Sequence, residues 1–236
     1  MTLTAPTPTL ENLVAEGEVR YSSGDTSGAF EIFGRAALAG DATAWMWLST
    51  CHAEGAGTPI SRLDALACLR QAAELGQPQA QSNLGVMLVG AQDKSGDPVQ
   101  DVEAGLGWLR RAAAQRDVGA CFNLATVLSR DKEVAPNWRE AAASYQVAAE
   151  AGHFPSQMRL GFCYRNGFGV AKDRVQAFLW TALAARHGVG TALEQLEKIV
   201  FEMSARERAD GEDLLRQHSK EAGPVLGAVP FRVVTS

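Results

Sequence analysis

A repeat of about 36 residues runs through the chain, and no other feature of the sequence limits its fold as tightly. Small residues open successive copies at Ala44, Ala80, Ala120, Ser156 and Ala192, spaced 36, 40, 36 and 36 residues apart. A leucine follows four positions later in each of the first four: Leu48, Leu84, Leu124 and Leu160. Alanine pairs recur at 36–37, 72–73, 112–113, 148–149 and 184–185, with glycines at 40, 76, 152 and 188. An abbreviated first copy keeps Tyr21, Ala29, Ala36-Ala37 and Gly40.

Each copy predicts two helices. Helix A carries alanine and leucine four apart, followed by Gly, Ala or Ser, which permits close helix approach. Glu54-Gly-Ala-Gly57-Thr-Pro59 and Asn166-Gly167-Phe-Gly169 then break it. Helix B opens with capping signals, Ser61 with Asp64, Asn137 with Glu140 and Asp173 with Gln176. One such hairpin cannot bury its apolar face, so neighbours stack around a continuous core and the fold is all-α. Aromatics make up only 7 % of the chain, which suits packed helices better than a β-sandwich. Residues 192–220 predict a longer closing pair, with Ser204 and Glu207 capping its second helix.

The pattern Ala-x-x-x-Leu-Gly-x-x-Tyr-x-x-Gly-x-Gly-Val-x-x-Asp-x-x-x-Ala, followed by Trp and Ala-Ala, resembles the Sel1-like repeat, a tetratricopeptide-like family. The copy at 156–191 carries it nearly throughout, through Leu160-Gly161, Tyr164, Gly167, Gly169-Val170, Asp173, Ala177, Trp180 and Ala184-Ala185. Copies at 44–79, 80–119 and 120–155 are degenerate, and 13–43 lacks most of the central loop. The resemblance spans about residues 10–220. It implies a right-handed α-α superhelix (solenoid) of about five helix pairs plus a C-terminal capping pair, with an N-terminal segment at 1–9 and an apolar tail at 221–236. It also implies a scaffold or adaptor of a bacterial-type pathway that binds another protein.

Composition removes several alternatives. A net charge of −5 and a pI near 5.4 argue against nucleic acid or an anionic membrane as partner. The basic residues near 206–220 are interleaved with acidic ones, as on a solvated helix face. The N-terminus lacks the basic and apolar regions of a secretory signal, and no apolar run is long enough for a transmembrane helix, so a cytoplasmic location is expected. Cys51, Cys68, Cys121 and Cys163 form no CxxC pair and read as small apolar fillers. His52 takes the repeat position of Tyr164, which suits a partly buried role between helices. His153 and His187 flank helix-terminating glycines. No ligand spacing for a metal, no phosphate-binding loop and no nucleophile elbow is present, so neither cofactor nor catalysis is expected.

In tetratricopeptide solenoids helix A lines a concave face, and the resemblance carries that face over to this chain. Counting each repeat start as position one, position four holds Trp47, Asn83, Asn123 and Arg159. Positions three and seven add Met46, Val86, Phe122, Met158 and Phe162. The amides and the guanidinium suit the backbone of an extended peptide, with the apolar residues forming pockets. An inhibitor or immunity-type protein that neutralises a toxin or enzyme is the alternative, favoured by an acidic groove; a hydrolase is a remote third. The insertion from Gly90 to Pro98 is four residues longer than its counterparts, and the tail 223–236 is apolar with no acidic side chain.

Overall fold

The computed structural model describes residues 10–90, 101–130, 136–187 and 190–221. Among them the fold is all-α, as expected, and the twelve helices follow one another as six hairpins. The first three are α1 (Leu10–Ser22) with α2 (Thr26–Leu38), α3 (Ala42–Glu54) with α4 (Arg62–Glu74), and α5 (Pro78–Gly90) with α6 (Val102–Ala114). They form one compact unit. A second unit begins at Arg116 and holds α7 (Val118–Leu128) with α8 (Trp138–Glu150), α9 (Phe154–Asn166) with α10 (Arg174–Ala185), and α11 (Gly190–Glu202) with α12 (Ala205–Glu221). Within each unit the hairpins stack, α2 on α3 and α4 on α5 in the first, α8 on α9 and α10 on α11 and α12 in the second. Most of the 90–98 insertion and the whole 223–236 tail lie outside the described residues.

Local chemistry sets the helix boundaries. The four expected caps form: Ser61, Asn137 and Asp173 accept from the N–H three residues on, and Ser204 and Glu207 bond reciprocally. Asp25, Asp41, Asp101 and Asp117 cap α2, α3, α6 and α7 in the same way at 2.7–3.0 Å. Each cap contributes about 1 kcal/mol. One further hydrogen bond closes every hairpin from α3 to α10. The N–H of Ser61, Asp101, Asn137 and Asp173 donates to the carbonyl of His52, Leu88, Leu128 and Tyr164 at 2.9, 3.1, 2.9 and 2.9 Å. The acceptors are spaced 36, 40 and 36 residues apart, so the longer connection after Leu88 ends on the same bond as its shorter counterparts.

All five repeat starts are 0 % exposed, and the leucines four residues on are buried beside them. Position six decides how near helix A comes to helix B. Ser49 donates to the Ala65 carbonyl at 2.8 Å, while a Cβ at Gly85 would sit 2.8 Å from the Gly105 carbonyl and one at Gly161 3.2 Å from the Ala177 carbonyl. The buried alanine pairs then let the next hairpin approach. Two buried glutamines tie successive hairpins: the amide of Gln81 donates to Ala73 O at 3.0 Å and that of Gln157 to Ala149 O at 3.2 Å.

The Gly-x-Gly loops explain themselves by contact. A Cβ at Gly57 would lie 2.3 Å from Thr26 O, and one at Gly169 only 1.9 Å from Trp138 O, with φ positive at both. Each loop therefore seats on the first turn of the preceding hairpin's helix B, a place only glycine fits. Helix B ends on a positive-φ glycine at Gly40, Gly76 and Gly152, but the corresponding residue after α6 is Arg116, with φ 59°.

Two outcomes follow. Gly169→Ala adds a backbone clash to an unfavourable φ and is expected to destabilise by on the order of 3 kcal/mol, whereas Gly167→Ala costs about 1 kcal/mol from φ alone. Urea unfolding of both variants checks the difference. Arg116→Gly relieves the left-handed strain and is expected to raise the midpoint of thermal unfolding by about 2–4 °C, for a gain near 1 kcal/mol.

Candidate functional site

The helix-A face holds residues of two kinds, some consumed by the fold and some left open. In the first unit Trp47 is consumed. Its ring stacks on Phe33 with centroids 5.2 Å apart and 4° between planes, it tilts against Tyr21, and its indole N–H donates to Glu18 at 2.9 Å. It thus fastens α3 to α1 and α2. Tyr21 in turn donates to Glu54, which raises the phenol to about pKa 12. Met46 is half-buried against the core of α4 and α5. Asn83 and Val86 on α5 are exposed, Val86 at 40 %. Ser82, at the same repeat position as Met46, is buried. A cavity of about 340 Å³ lies between α3, α4 and α5, lined by Ser49, Ile60, Leu66 and Met87, and contains none of the expected binding residues.

The second unit has the same division. Phe122 is half-buried, its ring 4.9 Å from His153 and 6.1 Å from Tyr145. Asn123 is half-buried on the same helix. The Met158 sulfur accepts from the Thr191 hydroxyl at 3.7 Å and its side chain packs on the core of α10 and α11. Arg159 and Phe162 are exposed on α9, Phe162 at 41 %. Both border a cavity of about 250 Å³, shared with Met158, Gln195 and Ile199. Both also border a second one of about 90 Å³, reached from α7 and α8 by Arg130, Trp138 and Tyr145. Arg159 has no ion-pair partner among the described residues, whereas Arg165, six residues on, is held by Gln195 at 3.1 Å and by Glu202. That pairing holds the Glu202 carboxyl below its ordinary value.

Sequence reasoning missed Arg130, Trp138, Phe168 and Arg165. Trp138 and Phe168 stack at 4.7 Å and 22°, and Phe168 lies 5.6 Å from Phe162, so the loop between two glycines carries part of the exposed aromatic surface. Phe168 stands where Ala56 stands in the earlier Gly-x-Gly loop, and that exchange of small for aromatic was the available signal.

The cysteines and histidines are held in the packing of the helices. All four cysteines are buried and burial raises their thiols, Cys51 and Cys163 to about pKa 11. The histidines are engaged in ring packing: His52 on Phe30, His153 on Phe122, His187 on Phe154 and His218 on Trp180. Burial lowers the His153 pKa, and its Nδ1 lies 2.8 Å from the Ser156 hydroxyl. Among the described residues no three His, Cys, Asp or Glu side chains converge on a metal position, and no helix is long and apolar enough to cross a membrane.

Comparison with known proteins bears on the family. The Sel1 repeat model matches residues 46–77, 78–117 and 155–189. The chain is 32 % identical over 195 residues to the chitin synthase regulator SKT5 of Saccharomyces cerevisiae, covering 77 % of this chain and 27 % of that protein. It therefore spans about a quarter of the curated relative's length. The crystal structure of a Sel1 repeat protein from Oxalobacter formigenes superposes with a TM-score of 0.69 at 23 % identity, covering 90 % of this chain and 89 % of that one. An immunity protein from Pseudomonas aeruginosa is less alike, at 16 % identity over 92 % of this chain and 84 % of its own, with a TM-score of 0.48, too slight to bear on function. The chain thus carries three Sel1 repeats within its run of helix hairpins.

Proposed function

We infer that the chain is a non-catalytic interaction protein, a scaffold or adaptor, whose helix-A residues hold a partner protein or an extended peptide. Sel1-repeat proteins generally mediate protein–protein interaction. The observation that carries the reading is on α9, where Arg159 and Phe162 stand exposed between two cavities on a helix fixed by its buried neighbours. Arginine and aromatic residues on a rigid element, beside concave surface, make the strongest contacts of protein interfaces. Asn83 and Val86 occupy the corresponding positions of α5 and add an amide and an apolar contact in the first unit. Asn123 stands half-buried at the corresponding position of α7. Trp47, Phe122, Met46 and Met158 support the face from beneath, since packing within the fold already uses them.

The curated relative is by name a regulator of chitin synthase, and acting on an enzyme by binding is work of the kind inferred here. The inhibitor alternative looked for an acidic groove, and the exposed charge on α9 is a guanidinium, which favours the adaptor reading.

Photo-crosslinking in the native cell tests this. With benzoylphenylalanine at 83, 86, 123 or 159, one partner protein is expected as the shared adduct, and none with the probe at the outward positions 70 and 143. Replacing Asn83, Asn123 and Arg159 together by alanine is expected to cut recovery of that partner by about ten-fold or more, with helical circular dichroism unchanged. Equal adducts from positions 70 and 143, or undiminished recovery, would falsify the reading.

A further inference from the structure

Two cationic side chains reach the same small cavity from different helices. Arg159 projects from α9, and Arg130 follows the C-terminus of α7. Neither forms an ion pair among the described residues, although Arg165 and Arg174 of the same unit are paired with Glu202 and Glu207. The chain has 27 acidic and 22 basic side chains, so acceptors for these guanidiniums are plentiful elsewhere. Two guanidiniums at one cavity, without an ion pair among the described residues, favour an anion arriving from outside.

The lining fits a small anionic group. At about 90 Å³ the cavity has room for a few heavy atoms rather than a large side chain. The Tyr145 hydroxyl lies 3.2 Å from Ser129 Oγ and 3.4 Å from Thr126 Oγ1 on its wall, and the Ser129 hydroxyl donates to Thr126 O at 3.1 Å. With the Ser129 proton so committed, Tyr145 donates to Ser129 Oγ, and the Thr126 hydroxyl can turn its proton from Tyr145 toward an acceptor in the cavity. Trp138 and Phe162 complete the wall with apolar surface. Arginine's planar fork matches a carboxylate in two-point contact, and flanking aromatic surface excludes water from that contact.

We propose that this cavity receives one carboxylate from an acidic segment of a partner protein, held between Arg130 and Arg159 and flanked by Trp138 and Phe162. The assignment rests on the inferred role of the α9 face and deepens it, since it states the chemistry of the partner's anchor. Arg159 also borders the 250 Å³ cavity beside Met158 and Ile199, which places an apolar pocket on the other side of the same guanidinium.

The probe is an acetylated glutamate hexapeptide titrated into the full ¹⁵N-labelled chain, with the glutamine hexapeptide as its neutral counterpart. The indole N–H signal of Trp138, identified by its loss in Trp138→Phe, is expected to shift along one saturating curve with the glutamate peptide. The glutamine peptide is expected to bind at least about ten-fold more weakly. Arg130→Gln and Arg159→Gln should each weaken binding about five-fold or more and raise its midpoint without changing the melting temperature, because both residues are exposed. Arg70→Gln in the first unit should leave it unchanged. Equal affinity for the two peptides, equal losses in Arg70→Gln, or tighter binding of a phosphoserine hexapeptide overturns the assignment. If crosslinks from position 159 persist while the glutamate preference is absent, the carboxylate assignment falls and the helix-A reading stands. If the crosslinks are absent while Trp138 still titrates with glutamate, the cavity assignment stands and the reading of a partner along helix A falls.

Discussion

The closest approach of helix A to helix B, at the sixth position of each repeat, is the constraint on which the rest of the structure depends. At Gly85 and Gly161 there is no room for a Cβ, because a carbonyl or side chain of helix B lies where it would go; at Ser49 the hydroxyl fills the gap by donating to Ala65 O. A pair of helices that close needs small residues at the crossing and a connection of fixed reach. The repeated bond from the helix-B cap to the ninth position of the repeat supplies that reach. The 3.6-residue period then does the sorting. With positions one, five and six turned inward, positions four and seven have little choice but to face out or to meet a neighbouring hairpin.

That sorting explains why the helix-A face is uneven. Where a large ring at position four lies beside an aromatic neighbour in the preceding hairpin, as Trp47 does beside Phe33 and Tyr21, burial claims it. Each Å² of apolar ring surface removed from water contributes about 25 cal/mol, and a stacked partner adds to that. Arg159 has no acid opposite it among the described residues, whereas Arg165 finds Glu202. Which arginine of α9 finds an acid among the described residues is therefore set by the next hairpin. The glutamine ties vary likewise. In the first unit the Gln115 amide donates to Gln81 Oε1 at 2.9 Å, while the buried Gln157 Oε1 has no such donor.

Much of this was legible before any coordinates. The 36-residue spacing, the buried starts and alanine pairs, the Gly-x-Gly breaks and four of the helix caps all show in the residue order, because each is a local or periodic requirement. Capping aspartates at 25, 41, 101 and 117 were equally local and were passed over, since none has a Glu or Gln three residues on to mark a capping box; those positions hold Gly28, Ala44, Ala104 and Ala120. Arg116 in the left-handed conformation was hidden for a different reason: glycine marks that conformation in the sequence, and arginine does not.

The sequence by itself determined that the chain is a run of helix hairpins, where each begins and ends, and which residues face inward, since those follow from spacing, capping and side-chain size. Only the tertiary structure decided which outward residues stay exposed. Trp47, Phe122 and Met158 share their helix face with Arg159 and Phe162, yet contacts from residues about 14 to 33 positions away in the chain bury the first three in part and leave the last two open. The meeting of Trp138 with Phe168, and of Arg130 with Arg159, is of the same kind. Such pairings depend on how one hairpin seats on the next, and periodicity within a single helix carries no record of that.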